Sequence, residues 1–503
     1  MLPDVALLRI FDFCVDKTEL SWFLLVFVCR TWRKVILGSP RRLGLRLDYD
    51  TLTPAGELDV LPLPINIQPS SHLDVGNLIA ALEYNDRICE FDLFQFPKSE
   101  VNKTLEAMQR PFPLLTYLRI RPKFDRTPFD PVPASFLGGF APRLQTLVLE
   151  WIPFPGLPSL LLSATHLVTL SLLEILPSGY ISPEALVTCL SGLTRLDKLE
   201  FEFAYSFPEL ESPSPPPRIR TLFPALTELR LQGVSEYLED FVARIDAPLL
   251  DDLIIIFFHQ SISDTSQIAQ FIGRTPNFEA YDHAQVVFSY CDTSVVFLQA
   301  SIRLELRMLG SQPDEQLSSL AQVCSSSFPR ALIASLEHLY LLPFEPFYDR
   351  YPGDTDITQW LDLLRPFTGV KRLYMHSEFG PYIPLALQRL VGERVTEVLP
   401  ALRVLFLEIQ EEEEREREED EEEEDDDDDD DDDEDKDGEE DEDENDVEEE
   451  DKEEEEEEEE EVVVVVEEPL GVQDVIGQFV AARQLAGHPI YFYSWDESNV
   501  KYY

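Results

Sequence analysis

The sequence predicts an α/β protein in which three short helices precede an elongated solenoid of parallel strands and helices. Three observations support this prediction. Apolar residues recur at helical spacing over the first forty residues, and a six-residue apolar motif then recurs along most of the chain. Near the carboxyl end, a long acidic run interrupts the pattern before a last helix and strand. We therefore divide the chain into residues 1–40, 41–85, 86–410, 411–461 and 462–503.

Residues 1–40 contain amphipathic stretches of helical length. Apolar side chains fall three and four residues apart, which places them on one face of each helix. Asp16 and Thr18 lie in a polar break, where we expect one of them to cap the second helix, and Pro40 ends the run. Three such helices bury little apolar surface by themselves. We therefore expect them either to pack on the rest of the chain or to present an apolar face to a partner.

Three short motifs in this stretch occur in a specific order: Leu2-Pro3, Ile10-Phe11 and Val28-Cys29-Arg30-Thr31-Trp32-Arg33. In these motifs the stretch resembles the F-box. The resemblance implies a three-helix adaptor that binds the Skp-type linker of a cullin ubiquitin ligase. The linker-binding residues that it implies are Leu2, Pro3, Ile10, Phe11, Leu24, Val28 and Trp32. Periodicity alone supports only an amphipathic helical hairpin.

A motif of the form L-x-x-L-x-L recurs between residues 88 and 407. Its start-to-start intervals are 27, 29, 23, 29, 30 and 24 residues up to residue 250, and 34 and 32 residues from residue 336 onward. These periods are typical of leucine-rich repeats, in which the first, fourth and sixth positions of each copy share one core. A proline two residues earlier ends the preceding helix and favours extended backbone. It is present in five copies, as Pro113, Pro142, Pro224, Pro248 and Pro400.

The repeats are irregular. They lack the asparagine that usually follows the strand, which predicts an irregular horseshoe. Between residues 256 and 335 the register is lost, and we expect strands of degenerate repeats at 284–288 and 302–306. We interpret residues 41–85 as a connector with short strands or helices. Helices are expected between the motifs at 182–193, 236–245, 265–272 and 358–364.

Residues 411–461 carry 44 acidic side chains against four basic ones, and so account for −40 of the total charge of −58. Such a run repels itself and cannot form a core, so we expect it to be disordered. After it, we expect a strand at 462–466, a helix at 472–485 and a strand at 489–493 that caps the final repeat. With the F-box motifs and the repeats, this tail resembles the fungal F-box-domain proteins with irregular leucine-rich repeats.

The residues that catalysis or metal binding require are not grouped. Six cysteines lie far apart without a C-x-x-C pair, so we expect buried free thiols in a reducing compartment, the cytoplasm or the nucleus. The sequence has no phosphate-binding loop, nucleophile elbow or zinc motif, so we expect no enzyme, cofactor or metal. It also lacks the clustered basic face that nucleic acid requires and the long apolar stretch that a membrane span requires.

The last three repeats contain the predicted substrate-binding surface. On the open face of the sheet, side chains alternate with core residues and lie two, four and six positions after the first core residue. In these repeats the positions hold aromatic side chains, histidine and arginine, which interfaces enrich. The predicted substrate-binding residues are His338, Tyr340, Arg372, Tyr374, His376 and Phe406, with Leu342, Val404 and Glu408 at equivalent positions. The alternative is that these side chains pack beneath the acidic run or against one another.

The sequence therefore favours a substrate-recognition subunit of an SCF-type ubiquitin ligase, whose partners are the Skp-type linker, through it a cullin, and a protein substrate. The alternative is a non-ligase repeat scaffold whose first helices only cap the solenoid. That alternative predicts that Leu2, Pro3 and Phe11 are buried against residues 41–115. A hydrolytic site assembled from distant residues on the repeats is a third alternative.

Overall fold

A computed structural model provides the structure of the chain. It describes residues 3–14, 21–39, 47–50, 53–59, 63–68, 74–123, 129–205, 219–258, 265–279, 281–310, 313–343, 357–379, 382–390, 392–408 and 472–495. The predicted caps Asp16 and Thr18, the acidic run and the predicted strand at 462–466 lie outside these residues.

Three helices occupy the first described residues: α1 (Asp4–Cys14), α2 (Ser21–Val28) and α3 (Arg30–Gly38). Cys29 starts α3, because its Sγ accepts a hydrogen bond from the Trp32 backbone N–H at 3.4 Å. The helices enclose a small core that also contains Leu63, from beyond the helices. The helical unit therefore packs on the start of the solenoid.

The strands follow in chain order. They are β1 (Leu47–Asp50), β2 (Ile65–Gln68), β3 (Ile88–Phe96), β4 (Tyr117–Pro122), β5 (Thr146–Glu150), β6 (Thr169–Ile175), β7 (Lys198–Phe203), β8 (Thr221–Leu222), β9 (Glu228–Gly233), β10 (Ile245–Asp246), β11 (Asp252–Phe257), β12 (His283–Phe288), β13 (Asp292–Gln299), β14 (Ile302–Leu309), β15 (His338–Pro343), β16 (Arg372–Met375), β17 (Val404–Glu408) and β18 (Tyr491–Trp495).

Helices alternate with these strands. They are α4 (Val75–Ala81), α5 (Lys98–Ala107), α6 (Leu157–Ser163), α7 (Pro183–Leu190), α8 (Ser235–Ala243), α9 (Ser266–Arg274), α10 (Pro313–Ser326), α11 (Arg330–Ser335), α12 (Ile357–Leu364), α13 (Ile383–Gln388) and α14 (Val472–Leu485). Each of the four helices expected between the motifs is present to within a few residues.

Sixteen of the described strands form one sheet, while β8 and β10 pair separately. Neighbouring strands run parallel throughout the large sheet except on the two sides of β13. The chain thus has an α/β fold with a large, mostly parallel sheet, consistent with a leucine-rich-repeat-like solenoid.

The recurring motif builds the core. All thirty first, fourth and sixth residues of its ten copies are at most 6 % exposed, with Leu118 and Ile120 fully buried as an example. Each strand is in register with its neighbour, so that Leu118 pairs with Leu147 and Leu147 with Leu170. Burial of each such side chain contributes about 1.5–3 kcal/mol, so the repeats stabilise one another along the whole stack.

The sheet begins earlier than the sequence predicted. β1 and β2 lie within the expected connector, residues 41–85, yet both run parallel to β3 as members of the large sheet. Each of these strands has only four residues, which is too short to display a full copy of the motif. The connector is therefore part of the solenoid.

The segment without clear register contains an antiparallel meander instead of degenerate repeats. The chain passes from β11 to β12, returns through β13, and places β14 beside β11. The sequence anticipated β12 and β14 but missed β13, whose centre is the continuous apolar run Val295–Leu298. Such a run has no alternation, so its period does not distinguish a buried strand from a helix.

The described chain ends on α14 and β18, close to the predicted bounds. β18 pairs with β17 at the end of the sheet. Arg483 of α14 is fully buried, and its guanidinium donates to the carbonyl oxygens of Val395 at 3.0 Å and Leu402 at 3.2 Å. Burial lowers the pKa of this guanidinium. The last helix is thus held against the segment that precedes β17.

Two further sequence expectations concern cysteines and membranes. Five cysteines are free in the described part of the chain. The expectation that the thiols are buried is wrong for Cys29 and Cys291, which are exposed because they lie at a helix start and in a hairpin turn. None of the helices described above is long and apolar enough to cross a membrane.

Candidate protein-interaction surfaces

The strand register aligns one open-face side chain from each of fourteen neighbouring strands, and we call this line the central row. It consists of Asp92, Arg119, Val148, Ser171, Glu200, Arg230, Ile254, Glu305, Val296, Gln285, Tyr340, Tyr374, Phe406 and Tyr493. Its first half is mainly polar or charged, whereas its last four members are aromatic. The open face therefore has two chemically different halves.

Charges in the first half are largely paired with each other. Arg119 donates to Asp92 at 2.9 Å, and Lys198 lies 3.1 Å from Glu200 and 3.0 Å from Glu228. Such partly exposed pairs contribute about 0–1 kcal/mol each. Because the charges compensate one another, this half offers a partner few unsatisfied groups.

An acidic group lies at the carboxyl ends of these strands. Glu174 has a left-handed backbone, with φ of 53°, where the register between β6 and β7 shifts. Burial, followed by the nearby Glu202 and Glu150, raises the pKa of Glu174 to about 7. Two of the neighbours are paired, Glu150 with Arg121 and Glu202 with Arg230. Glu174 therefore changes charge close to neutral pH.

A buried ionic group separates the two halves of the row. Glu305 of β14 is fully buried between Arg303 and Arg307 of the same strand, and Arg307 Nε donates to it at 2.8 Å. The open-face side chains of one strand lie two residues apart, which allows both guanidinium groups to reach this carboxylate. The meander thus contributes a paired charge and no free one at this position.

The last four members of the central row stack as a continuous column that we call the aromatic ladder: Tyr340, Tyr374, Phe406 and Tyr493. Ring centroids of Tyr340 and Tyr374 are 4.3 Å apart, and those of Tyr374 and Phe406 are 4.5 Å apart, with planes within 9° and 2° of parallel. Tyr493 extends the ladder at 5.8 Å with a tilt of 30°. These aromatic side chains therefore pack against one another, as in one of the alternatives that the sequence left open.

His338 and Arg372 border the ladder on neighbouring strands. Arg372 donates to His338 Nε2 at 3.1 Å, and His338 Nδ1 lies 3.4 Å from the Tyr374 hydroxyl. Because Nε2 accepts, Nδ1 carries the proton and the imidazole is neutral. Burial, together with the positive charge of Arg372, lowers the pKa of His338. Arg372 is exposed, and within the described chain it has no carboxylate partner.

Two residues predicted on the open face are not available there. His376 is 8 % exposed, and its Nε2 lies 2.9 Å from a carboxylate oxygen of Glu408. β16 ends at Met375, so the alternation of inward and outward side chains ends before His376. Leu342 is fully buried, because the alternation along β15 also ends before it. The surface therefore consists of His338, Arg372 and the aromatic ladder.

A second surface lies on the helical unit. Of the residues implied to bind a linker, Pro3, Ile10 and Val28 are exposed. Phe11 is fully buried and packs edge to face on the half-buried Trp32, so both support the helices from within. Leu2 and the side chain of Leu24 lie outside the described residues.

Val5 and Phe27, which the F-box motifs do not include, are also 60 % and 61 % exposed on the helical unit. The signal for Phe27 was present, because seven of the eight residues of α2 are apolar. A helix that is apolar on every face requires cover on every face. In the structure Val26 is buried, whereas Phe27 and Val28 are not.

Comparison with known proteins does not identify a family. No protein-family model matches the chain, and no curated protein matches it. A solved structure to which it is similar is the leucine-rich repeat-containing protein LegL7 from Legionella pneumophila. The two share 12 % sequence identity over 72 % of this chain and 90 % of that chain, with a TM-score of 0.25.

Proposed function

We propose that the chain is a substrate-recognition subunit of an SCF-type cullin ubiquitin ligase. In this proposal the helical unit binds the Skp-type linker and the open face of the solenoid binds a protein substrate. The observation that carries the proposal is the apolar helix α2, whose Phe27 and Val28 are more than half exposed while its neighbour Val26 is buried. The F-box motifs of the same helices indicate which partner would cover them.

The anchoring of the helices is consistent with this role. Leu63 is buried in the helical core, and Leu47 contacts both that core and the core of the solenoid. A linker bound to the helices would thus be held at a fixed position relative to the repeats. Fixed geometry matters because an adaptor acts by positioning its substrate and performs no covalent chemistry.

The burial of Leu63 and Phe11 favours a second candidate, a non-ligase scaffold whose helices only cap the first repeat. That candidate accounts for the inward side of the helices. It leaves Ile10 and Val28, which are 41 % and 58 % exposed, without a function. The two proposals therefore differ in what the outward apolar side chains do.

Co-purification of the full-length chain with a Skp-type linker separates the two candidates. The ligase proposal expects a stable complex with the wild-type chain. Replacing Ile10 and Val28 by glutamate should weaken it at least about tenfold, because two carboxylates would enter an apolar interface. Because both positions are exposed, the fold should tolerate the change.

The control is Leu162→Glu, which introduces one carboxylate, half the charge of the double variant, at an exposed apolar position on α6. Linker capture by this control should equal that of the wild-type chain. Failure of the wild-type chain to capture the linker, or equal capture by the double variant, would contradict the ligase proposal. If the helices only cap the solenoid, the wild-type chain should fail to capture the linker.

A further inference from the structure

The border of the aromatic ladder contains a cation, Arg372, that has no described carboxylate within ion-pair distance. Arg372 donates only to the neutral imidazole of His338, and no described carboxylate pairs with it. The acidic groups on the same part of the sheet each contact another side chain, a lysine in one case and a histidine in two. They are Asp282 with His283 at 2.7 Å, Glu337 with Lys371, and Glu408 with His376 at 2.9 Å. As far as the described residues show, the Arg372 guanidinium is thus available to a further anion.

Stacking determines what the ladder presents. The faces of the Tyr374 ring are covered by Tyr340 on one side and Phe406 on the other. What remains of the Tyr374 ring for a ligand is its edge, which carries the positive end of the aromatic quadrupole. Cations bind ring faces and are therefore disfavoured, whereas the electron-rich face of another aromatic ring fits the edges. The ring edges and the guanidinium both select electron-rich groups.

The spacing of the two features fits an extended peptide. Arg372 and Phe406 lie on neighbouring strands, two positions apart along the sheet. With strands about 4.8 Å apart and residues about 3.3 Å apart, their Cα atoms are separated by about 8 Å. In an extended chain, side chains two residues apart point to the same side and are separated by about 7 Å. The arginine side chain and the side chains of the peptide are long enough to bridge the difference of about 1 Å between these two separations.

We infer that the aromatic ladder and Arg372 together bind an extended protein segment that carries an aromatic side chain and a carboxylate two residues apart. The aromatic ring lies on the edges of Tyr374 and Phe406, and the carboxylate accepts hydrogen bonds from the Arg372 guanidinium. A phosphorylated side chain fits less well, because its charge of nearly −2 requires more than one cation. The inference rests on the proposed function only in assigning such a segment to a ligase substrate.

The test mixes the full-length chain with a defined probe, the blocked peptide Ser-Gly-Phe-Ser-Glu-Gly-Ser. Binding is detected by saturation-transfer difference NMR. We expect transfer to the phenylalanine ring protons of the probe. Arg372→Gln should weaken binding about tenfold, as should a probe with glutamine in place of glutamate. Phe406→Ala should weaken it as well. The controls are Arg143→Gln and Phe140→Ala, exposed residues in the first half of the chain, which should leave binding unchanged.

Absence of transfer with the wild-type chain would overturn the inference, as would equal binding of the glutamine probe. Sedimentation velocity provides a further check. Self-association of the wild-type chain that Arg372→Gln abolishes would show that a second copy occupies the surface, and would also overturn it. Linker capture by Arg372→Gln should equal that of the wild-type chain. Loss of linker capture in every sample, with probe binding intact, would reject the ligase proposal and leave this inference standing.

Discussion

Replacement of Arg483 by methionine tests how the end of the chain is attached to the solenoid. The guanidinium contacts four carbonyl oxygens, of which those of Val395 and Leu402 lie within 3.2 Å and those of Leu399 and Pro400 at 3.4 and 3.5 Å. Only the first two have good hydrogen-bond distances. Methionine retains the apolar contacts of the side-chain stem but leaves these carbonyl groups without a donor.

The magnitude follows from the same contacts. A hydrogen bond from a charged donor contributes about 1.5–3 kcal/mol, so the two good ones contribute about 3–6 kcal/mol. Removing the guanidinium also removes its desolvation cost, which no carboxylate in the described part of the chain offsets, so the net loss of stability is smaller than this sum. We therefore expect the local free energy of opening to fall by about 2–4 kcal/mol.

Hydrogen–deuterium exchange measures this change locally. A loss of 2–4 kcal/mol should accelerate amide exchange in β17 and β18 by roughly 30- to 1,000-fold, while β4 to β7 should keep their protection. The control is Gln484→Met, the exposed neighbour on α14, which should exchange like the wild-type chain. If Arg483→Met changes exchange in β17 and β18 less than about threefold, the reasoning is refuted.

Two more predictions concern a close backbone approach and a titrating carboxyl group. Gly369→Ala should lower the unfolding free energy by more than about 2 kcal/mol, because its Cβ would overlap the carbonyl oxygen of Ala334. Gly192→Ala, which has open space around it, should stay within about 0.5 kcal/mol by denaturant titration. Glu174 should destabilise the fold as pH rises from about 4.5 to about 7, because its folded pKa lies above its unfolded value. Glu174→Gln should then raise the Tm at pH 8 and leave it unchanged at pH 4. The expected gain in unfolding free energy at pH 8 is on the order of 1–2 kcal/mol after allowance for solvent screening. An effect of the same size at both pH values would show that the raised pKa of Glu174 is not its cause.

The core was predictable because it depends on local spacing alone. Each six-residue motif identifies its own inward positions, and Leu144, Leu147 and Leu149 are all buried as expected. The same holds for α14, whose predicted and observed bounds agree because its apolar residues recur three and four residues apart. Local patterns of this kind survive even where the repeats are irregular.

Features that depend on strand order were not predictable. The antiparallel meander inserts β13 and β12 between β14 and β15, an order that no local pattern encodes. Three members of the aromatic ladder, Tyr340, Tyr374 and Phe406, were anticipated as outward residues, but their stacking requires the register of neighbouring strands. The last member of the ladder, Tyr493, follows Phe406 only after the acidic run. His376 was misplaced because β16 ends before it, whereas Leu342 lies within β15, where the last three residues are all buried and no longer alternate.

Taken together, the two proposals place a linker at the helices and a protein segment at the aromatic ladder of the same chain. The most direct test mixes the full-length chain with a Skp-type linker and with a carrier protein bearing the Phe-Ser-Glu segment, and determines the mass of the complex by native mass spectrometry. We expect a complex with one copy of each component, which loses the linker in the Ile10→Glu, Val28→Glu variant and the carrier in Arg372→Gln. A chain that binds only one of the two partners at a time, or neither, would contradict it.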